Sequence, residues 1–312
     1  MHRHLRRPRG WIALTLALVI ASLLCQLGLE ALLGRGLAAD AASKTVPALL
    51  ALAVMSWLGL RGWWSARVHR PVSTTVWVGV FVVVVALTTL VPLAAQVSRG
   101  AASWPSAGSL GLHTLVVAAT AVFEESTFRA LLLGGLVWTL ARTGQQAGED
   151  GAIRPSRRAL ALGVVASTAL FSLSHLVGLA TRPAGEVWGQ VAYTAAIGTF
   201  FAALVVRSES LWPAVVAHAA FNWLGGLSAL VPATTGAAPS GTVSPLAVVA
   251  VQLPWFVAGV VMLVRDLRRD GATLPPPPAW LAGTAHSHSG AAADPDVTAE
   301  PVGALLGTPT GS

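Results

Sequence analysis

Eight long apolar runs, separated by shorter polar segments, dominate the pattern of hydrophobic and polar positions along this chain. A helix that rises 1.5 Å per residue needs about 20 apolar residues to cross the hydrocarbon core of a bilayer. The pattern therefore predicts an all-α, polytopic membrane protein with about eight transmembrane helices. The predicted spans are roughly 11–31, 45–61, 72–96, 109–141, 159–180, 187–206, 210–231 and 244–264.

Composition supports a chain that is surrounded by lipid. Hydrophobic residues make up 54% of the 312 residues and charged residues only 11%, whereas a soluble domain carries about 25% charge. The net charge of +7 does not indicate nucleic-acid binding, because the basic residues flank the apolar runs. Abundant Ala, Gly and Arg beside a single Lys are typical of a GC-rich bacterial genome.

The distribution of basic residues predicts the orientation of the chain. With the N-terminus in the cytoplasm, fifteen Lys and Arg residues outside the spans fall on the cytoplasmic side and four on the other. This is the bias of the positive-inside rule. An even number of spans then brings the C-terminus back to the cytoplasm. We expect a multi-pass protein of the cell membrane, with both termini cytoplasmic and the lipid bilayer as its surroundings.

The chain divides into four parts by composition. N-terminal transmembrane helices occupy 1–108, a core that carries the polar motifs occupies 109–231, and a final transmembrane helix lies within 232–270. Residues 271–312 are rich in Pro, Gly and other small residues. Such a segment cannot bury enough apolar surface to fold, and we predict a disordered cytoplasmic tail.

Three charged residues interrupt the fourth span, in the stretch AVFEESTFR. Each of Glu124, Glu125 and Arg129 costs about 2.5–3.5 kcal/mol at the centre of a membrane helix. Glu125 and Arg129 are four residues apart, on one helix face, where they can form an ion pair. Glu124 points about 100° away and has no partner in its own helix. An unpaired carboxylate inside a membrane predicts a functional site.

Two further spans carry polar residues that could meet this carboxylate. FSLSH places Phe171 and His175 one turn apart in the fifth span, and HAAFN does the same for His218 and Asn222 in the seventh. A carboxylate can take a proton from water, and imidazoles can bind a metal or stabilise an oxyanion. This combination suits peptide hydrolysis. His113 lies outside the set, near the outer end of its span, and we expect it at the membrane interface.

The three motifs EESTFR, FSLSH and HAAFN, in this order, resemble the EExxxR, FxxxH and HxxxN motifs of the CPBP intramembrane proteases, which include the type II CAAX prenyl endopeptidases. The resemblance covers about 109–231. It implies a helical membrane fold that encloses an intramembrane active site, and an endopeptidase that cleaves a membrane-associated peptide or protein. It also implies a structural role for Arg129, in an ion pair. The catalytic residues that it implies are Glu124, Glu125, His175, His218 and Asn222.

The motifs leave the metal open. In one arrangement Glu124, His175 and His218 hold a divalent ion such as zinc, with water as the fourth ligand. In the other, Glu124 activates water directly while His218 and Asn222 stabilise the oxyanion. The sequence contains no HExxH, so the pattern of soluble zinc proteases is absent.

Counting along the helices places the motif residues at different depths. At about 1.5 Å per residue, His218 lies about 12 Å from the cytoplasmic end of its span, whereas His175 and Glu124 lie about 24 Å from theirs. Convergence therefore requires tilted helices, a longer seventh span, or a break in the fourth span near Gly134 and Gly135.

Two other functions use the same residues. In a proton- or ion-coupled transporter the glutamates and histidines would form a relay, although no inverted repeat is visible in the sequence. In a catalytically idle scaffold the same fold would bind a partner without chemistry.

Overall fold

The computed structural model is a bundle of long helices. It describes residues 4–34, 36–65, 67–100, 102–144, 155–231, 245–268 and 274–282. No β-strand occurs within these ranges. The helices are α1 (Pro8–Leu33), α2 (Leu37–Trp57), α3 (Pro71–Ser98), α4 (Ala107–Glu125), α5 (Gly135–Gly144), α6 (Arg157–Ser174), α7 (Ala184–Ser208), α8 (Trp212–Leu230), α9 (Pro245–Arg268) and α10 (Ala279–Ala282).

Three irregular helical segments complete the architecture. A π-helical segment, Ser126–Gly134, joins α4 to α5 without a break. A 3₁₀ segment, His175–Ala180, continues α6, and another, Arg61–Trp64, follows α2. Two of the three polar motifs therefore lie where regular α-helix gives way to another helical form.

The predicted polytopic, all-helical fold is confirmed. Seven helices in the described part of the chain are long and apolar enough to cross a membrane, and the fourth of them runs continuously from Ala107 to Arg142. The seventh predicted span, 210–231, is helix α8 of 19 residues. Helix α8 is not among the seven, because His218 and Asn222 lower its hydropathy.

Helix α7 lies at the centre of the bundle, where α6, α8 and α9 pack around it. Buried residues make up 67% of its most apolar window, against 11% for α1 at the periphery. The main cluster of buried side chains includes Phe200 and Phe201 of α7, with Phe81 of α3 stacked on Phe200 at 5.1 Å between ring centroids. This packing fixes α7 as the wall against which the site is built.

Gly134 and Gly135 admit two indole rings and do not interrupt the helix. A Cβ at Gly134 would lie 2.4 Å from Cζ2 of Trp63, and one at Gly135 would lie 2.1 Å from Cδ2 of Trp11. Of the three alternatives for bringing the motifs together, a break at these glycines is therefore excluded. The irregularity begins earlier, directly after the two glutamates, as the π-helical segment.

The structure also explains why counting along the helices gave different depths. Leu211, at the start of α8, donates its backbone N–H to the Trp63 carbonyl at 2.9 Å, and the ring of Trp63 lies against Gly134. From this common level, His218 lies seven residues along α8, about 10 Å at 1.5 Å per residue. Glu125 lies nine residues along the fourth span, through a π-helical segment that rises less per residue than an α-helix. The residues Gly135–Gly144 of α5 extend beyond that level, so the count from the cytoplasmic end of the fourth span placed the glutamates too deep.

Part of the predicted disordered tail is packed in the structure. Leu274 and Leu281 are 3% and 1% exposed, and Trp280 stacks on Trp11 with 6.0 Å between ring centroids. Trp280 Nε1 donates to the Leu58 carbonyl at 2.9 Å. The prediction is corrected for 274–282, because its few large apolar residues find a groove beside α1 and α5. Residues 283–312 lie outside the described residues.

Candidate active site

Glu124 and Glu125 end helix α4, and the π-helical segment begins at the next residue. All nine residues of this segment are buried. A π-helix leaves some carbonyls without their usual partners, and such segments are frequent at functional sites. Here the Phe128 carbonyl accepts a hydrogen bond from Ser167 Oγ of α6 at 2.6 Å. The wider helical turn is thus held by a neighbouring helix.

Glu125 and Arg129 form a fully buried ion pair. Arg129 Nε lies 3.3 Å from Glu125 Oε2, and both side chains are 0% exposed. Arg129 Nη2 donates to the Gly198 carbonyl at 3.3 Å, and its guanidinium lies 4.6 Å from the centroid of the Phe171 ring. The guanidinium is therefore anchored by a carboxylate, a carbonyl and an aromatic face.

His218 of α8 lies between the two glutamates. Its Nδ1 is 2.8 Å from Glu125 Oε1, and its Nε2 is 3.4 Å from Glu124 Oε2, within ion-pair distance. The ring stacks on Phe201 of α7, with 5.0 Å between centroids and 22° between planes. A buried carboxylate oxygen at Nδ1 and an aromatic wall leave the imidazole one orientation. Glu124, which has no partner in its own helix, receives one from α8.

Glu124 differs from its neighbour in exposure. Its side chain is 21% exposed, whereas those of His218 and Glu125 are 3% and 0% exposed. Glu124 lines a cavity of about 270 Å³, which we call the Glu124 cavity. Only one member of the charged cluster is therefore accessible to a small molecule such as water.

His175 lines the Glu124 cavity as well. It is the first residue of the 3₁₀ segment that follows α6, and its Nδ1 lies 3.0 Å from the Phe171 carbonyl. A carbonyl only accepts, so Nδ1 carries the hydrogen and a neutral ring keeps a lone pair on Nε2. His175 is thus prepared to accept a hydrogen bond from water or to bind a cation.

Asn222 lies on a different surface of the site. It lines a second cavity of about 760 Å³ between α3, α4, α8 and α9, which we call the α3–α4 cavity. Thr120 of α4 lines both cavities. The structure thus brings Glu124, Glu125, Arg129 and His218 together. His175 lines the same cavity as Glu124, whereas Asn222 lines the other cavity.

The residues do not form a preassembled metal centre. Among the residues that the structure describes, no group of three or more His, Cys, Asp or Glu side chains is placed to hold a metal ion. In the zinc arrangement, Nε2 of His218 and Oε2 of Glu124 would both face the ion, and these two atoms lie 3.4 Å apart. His175 does not group with them as a third ligand. The zinc arrangement stays a prediction.

His113 packs between two helices. It is 7% exposed, and its Nε2 lies 3.1 Å from the Trp223 carbonyl. A Cβ at Gly226 would lie 2.6 Å from its ring. His113 is therefore a packing residue between α4 and α8, near the start of α4, and its position at the membrane interface stays a prediction.

Several residues of the site carry no signal in the sequence. Lys44, Arg182 and Gln190 also line the Glu124 cavity, and Tyr193 lines the α3–α4 cavity. Lys44 and Arg182 are among the four basic residues that the eight-span prediction places on the non-cytoplasmic side. Tyr193 is the only tyrosine in the chain, but a single unusual residue does not indicate a role in the site. Their roles depend on how the helices pack, and one sequence does not specify that.

Comparison with known proteins gives a family match over part of the chain. Residues 106–224 match the model of a family described as type II CAAX prenyl endopeptidase, Rce1-like. The matched segment is less than half of the chain, and it contains α4 to α7 and most of α8. The predicted resemblance to the CPBP and CAAX proteases is confirmed. Neither the comparison with curated proteins nor that with solved structures gave a match.

Proposed function

We propose that this protein, which over residues 106–224 is similar to the Rce1-like family of type II CAAX prenyl endopeptidases, hydrolyses a peptide bond of a membrane-associated peptide or protein with water activated by Glu124. One observation carries the proposal. Glu124 is the only partly exposed member of a buried charged cluster, and it shares its cavity with His175.

The chemistry begins at Glu124 and His175. Glu124 accepts a proton from a water molecule in the cavity, and Nε2 of His175 accepts a hydrogen bond that orients the same water. The water oxygen attacks the carbonyl carbon of the substrate, and the carbonyl oxygen becomes an oxyanion. Glu124 then donates its proton to the leaving nitrogen, so the C–N bond breaks and a carboxylic acid and an amine form. General-base catalysis of this kind contributes about 10²–10⁴-fold in rate.

His218 and Asn222 supply the donors that stabilise the oxyanion. Nε2 of His218 lies on the Glu124 side of its ring. Asn222 lines the α3–α4 cavity, and its amide would donate to the oxyanion of a substrate that extends into that cavity. Glu125 accepts from Nδ1 and fixes the ring, and Arg129 balances the charge of Glu125. With Glu124 ionised and a second proton on Nε2 of His218, beside that on Nδ1, the four-residue cluster has no net charge. A neutral cluster is the arrangement that a low-dielectric interior tolerates best.

The transporter and scaffold hypotheses have less support. A relay across the membrane needs charged groups along a path. The described buried charges instead form two separate groups, Glu125 and Arg129 beside His218, and Asp266 with Arg70 and Arg207 near the end of α9. A scaffold that only binds a partner does not need the carboxylate of Glu124 in the same cavity as the imidazole of His175, whose Nδ1 proton is held by the Phe171 carbonyl.

The experiment that tests the proposed function is substrate trapping. The Glu124→Gln variant keeps the shape of the side chain and loses the base, so it should retain uncleaved substrate in membranes of the native host. Wild-type protein should retain the same substrate much less and should release its fragments. Equal retention by both forms, with no fragment from wild-type protein, would favour the scaffold.

A further inference from the structure

The α3–α4 cavity is larger than the Glu124 cavity, at about 760 Å³ against about 270 Å³. Helices α3 and α4 each pack on α8, and the cavity occupies the space between them. Its walls are mostly apolar, with Val85, Val117, Phe221 and Trp255 among them. None of the residues that line it is Asp, Glu, Lys, Arg or His. An occupant of this cavity is therefore uncharged.

Gln252 of α9 is the feature that a purely apolar occupant does not explain. The residue lines the cavity and is 7% exposed. Its Oε1 has no hydrogen-bond partner among the residues that the structure describes. A buried amide oxygen without a donor is unfavourable, and native proteins rarely leave one without a role. Asn222 places a second amide in the same cavity.

Amide groups inside an apolar cavity match the chemistry of a peptide backbone. The carbonyl of Gln252 can accept from a backbone N–H, and its NH₂ can donate to a backbone C=O. A lipid acyl chain has no donor for Oε1, and a lipid headgroup carries a charge that this cavity does not balance. In a transmembrane helix the backbone N–H groups are already paired. The segment that Gln252 recognises must therefore be unwound.

We propose that the α3–α4 cavity binds an unwound, uncharged segment of the substrate, and that Gln252 is the residue that recognises its backbone. This inference rests on the proposed function. Thr120 lines both cavities, and Glu124 follows it by one helical turn. A substrate that extends across Thr120 would present the scissile carbonyl to Asn222 from one cavity and to Glu124 from the other.

Kinetics of a Gln252→Leu variant test this role. The reporter is a peptide that wild-type protein cleaves, identified from the trapped substrate. Gln252→Leu should raise KM about tenfold and change kcat less than twofold, because the chemical groups are intact. Its thermal stability in detergent should be equal or higher, since an unpaired polar atom is removed. Leu253→Met, on the lipid-facing side of the same helix and 55% exposed, is the control and should leave both constants unchanged. An unchanged KM for Gln252→Leu would overturn the proposal.

Disulfide crosslinking tests binding without hydrolysis. The parent is a Cys25→Ala, Glu124→Gln chain, which has neither its single cysteine nor the catalytic base. Thr88→Cys places a thiol on the cavity wall, whereas Leu87→Cys places one on the neighbouring residue, which is 58% exposed and does not line the cavity. The probe is a synthetic Leu/Ala membrane peptide with a central Gly-Cys-Gly.

The cavity site predicts at least fivefold more crosslinking through Thr88→Cys than through Leu87→Cys, and a clear decrease when Gln252→Leu is added. Equal crosslinking at the two positions would mean that lipid fills the cavity, and the inference would be wrong. The proposed function and this inference can be refuted independently of each other. Wild-type protein that binds the peptide in the cavity and hydrolyses no peptide contradicts the proposed function, whereas hydrolysis without selective crosslinking contradicts this inference.

Discussion

The substitution Glu125→Gln tests the arrangement of the buried cluster. Glu125 uses both carboxylate oxygens, Oε1 at 2.8 Å from His218 Nδ1 and Oε2 at 3.3 Å from Arg129 Nε. A glutamine keeps one oxygen, which can still accept from His218. Its NH₂ then faces the guanidinium, so two donors oppose each other in a site from which water is excluded.

The size of the effect follows from the burial. Glu125 and Arg129 are both 0% exposed, and removing one partner of a buried pair costs about 3–5 kcal/mol because the other charge is left uncompensated. At about 1.4 kcal/mol per tenfold change in an equilibrium constant, the folded population falls relative to the unfolded one by a factor of about 10² to 4 × 10³. Glu124→Gln should cost much less, since Glu124 is 21% exposed and outside that pair.

The assay is thermal unfolding of purified variants in one detergent, with abundance in membranes as a second readout. Glu125→Gln should be the least stable variant, and Arg129→Gln added to it should restore part of the loss because the uncompensated charge is removed. Glu124→Gln should unfold near the wild-type temperature. A stable Glu125→Gln beside an unstable Glu124→Gln would refute this account, since it would assign the buried pair to the wrong glutamate.

Three further predictions concern the fold. Gly135→Ala should lower the free energy of unfolding by about 1–3 kcal/mol, as overpacking does, because a Cβ there would lie 2.1 Å from an indole ring. The control is Gly111→Ala, which has open space around it and should leave the unfolding temperature unchanged or raise it. Trp280→Ala should lower the unfolding temperature, by less than the 3–5 kcal/mol that is typical of a core Trp; no change would show that 274–282 is dispensable. Reporter fusions after Arg9 and after Arg268 should both report the cytoplasm, and opposite sides would mean that a span is miscounted.

The membrane fold and the members of the charged cluster could be predicted because both depend on local sequence. Runs of about 20 apolar residues specify spans whatever surrounds them, and a glutamate four residues before an arginine specifies a shared helix face. The height of α8 relative to the fourth span could not be predicted. It depends on the packing of Leu211 and Gly134 against Trp63, which is distant from both in sequence.

The metal question shows another limit of sequence reasoning. Glu124, His175 and His218 are residue types that bind zinc, and a motif does not say which way an imidazole faces. The structure adds that Nδ1 of His218 faces Glu125 and that its ring is stacked on Phe201. The docked segment 274–282 was missed for a related reason, because composition averages over a tail and does not show that Leu281 and Trp280 have a groove to fill.

Hydrolysis in ¹⁸O-labelled water tests the central claim most directly. Purified protein in liposomes would be given the trapped substrate and a farnesylated peptide that ends in a CAAX sequence, and mass spectrometry would follow the new C-terminus. Glutamate-activated water predicts one ¹⁸O atom in the new carboxylate for at least one of these peptides, with a rate lower by at least about 10² for Glu124→Gln and little change in its folding. Cleavage by Glu124→Gln at the wild-type rate, or no cleavage of either peptide by well-folded wild-type protein, would contradict the account.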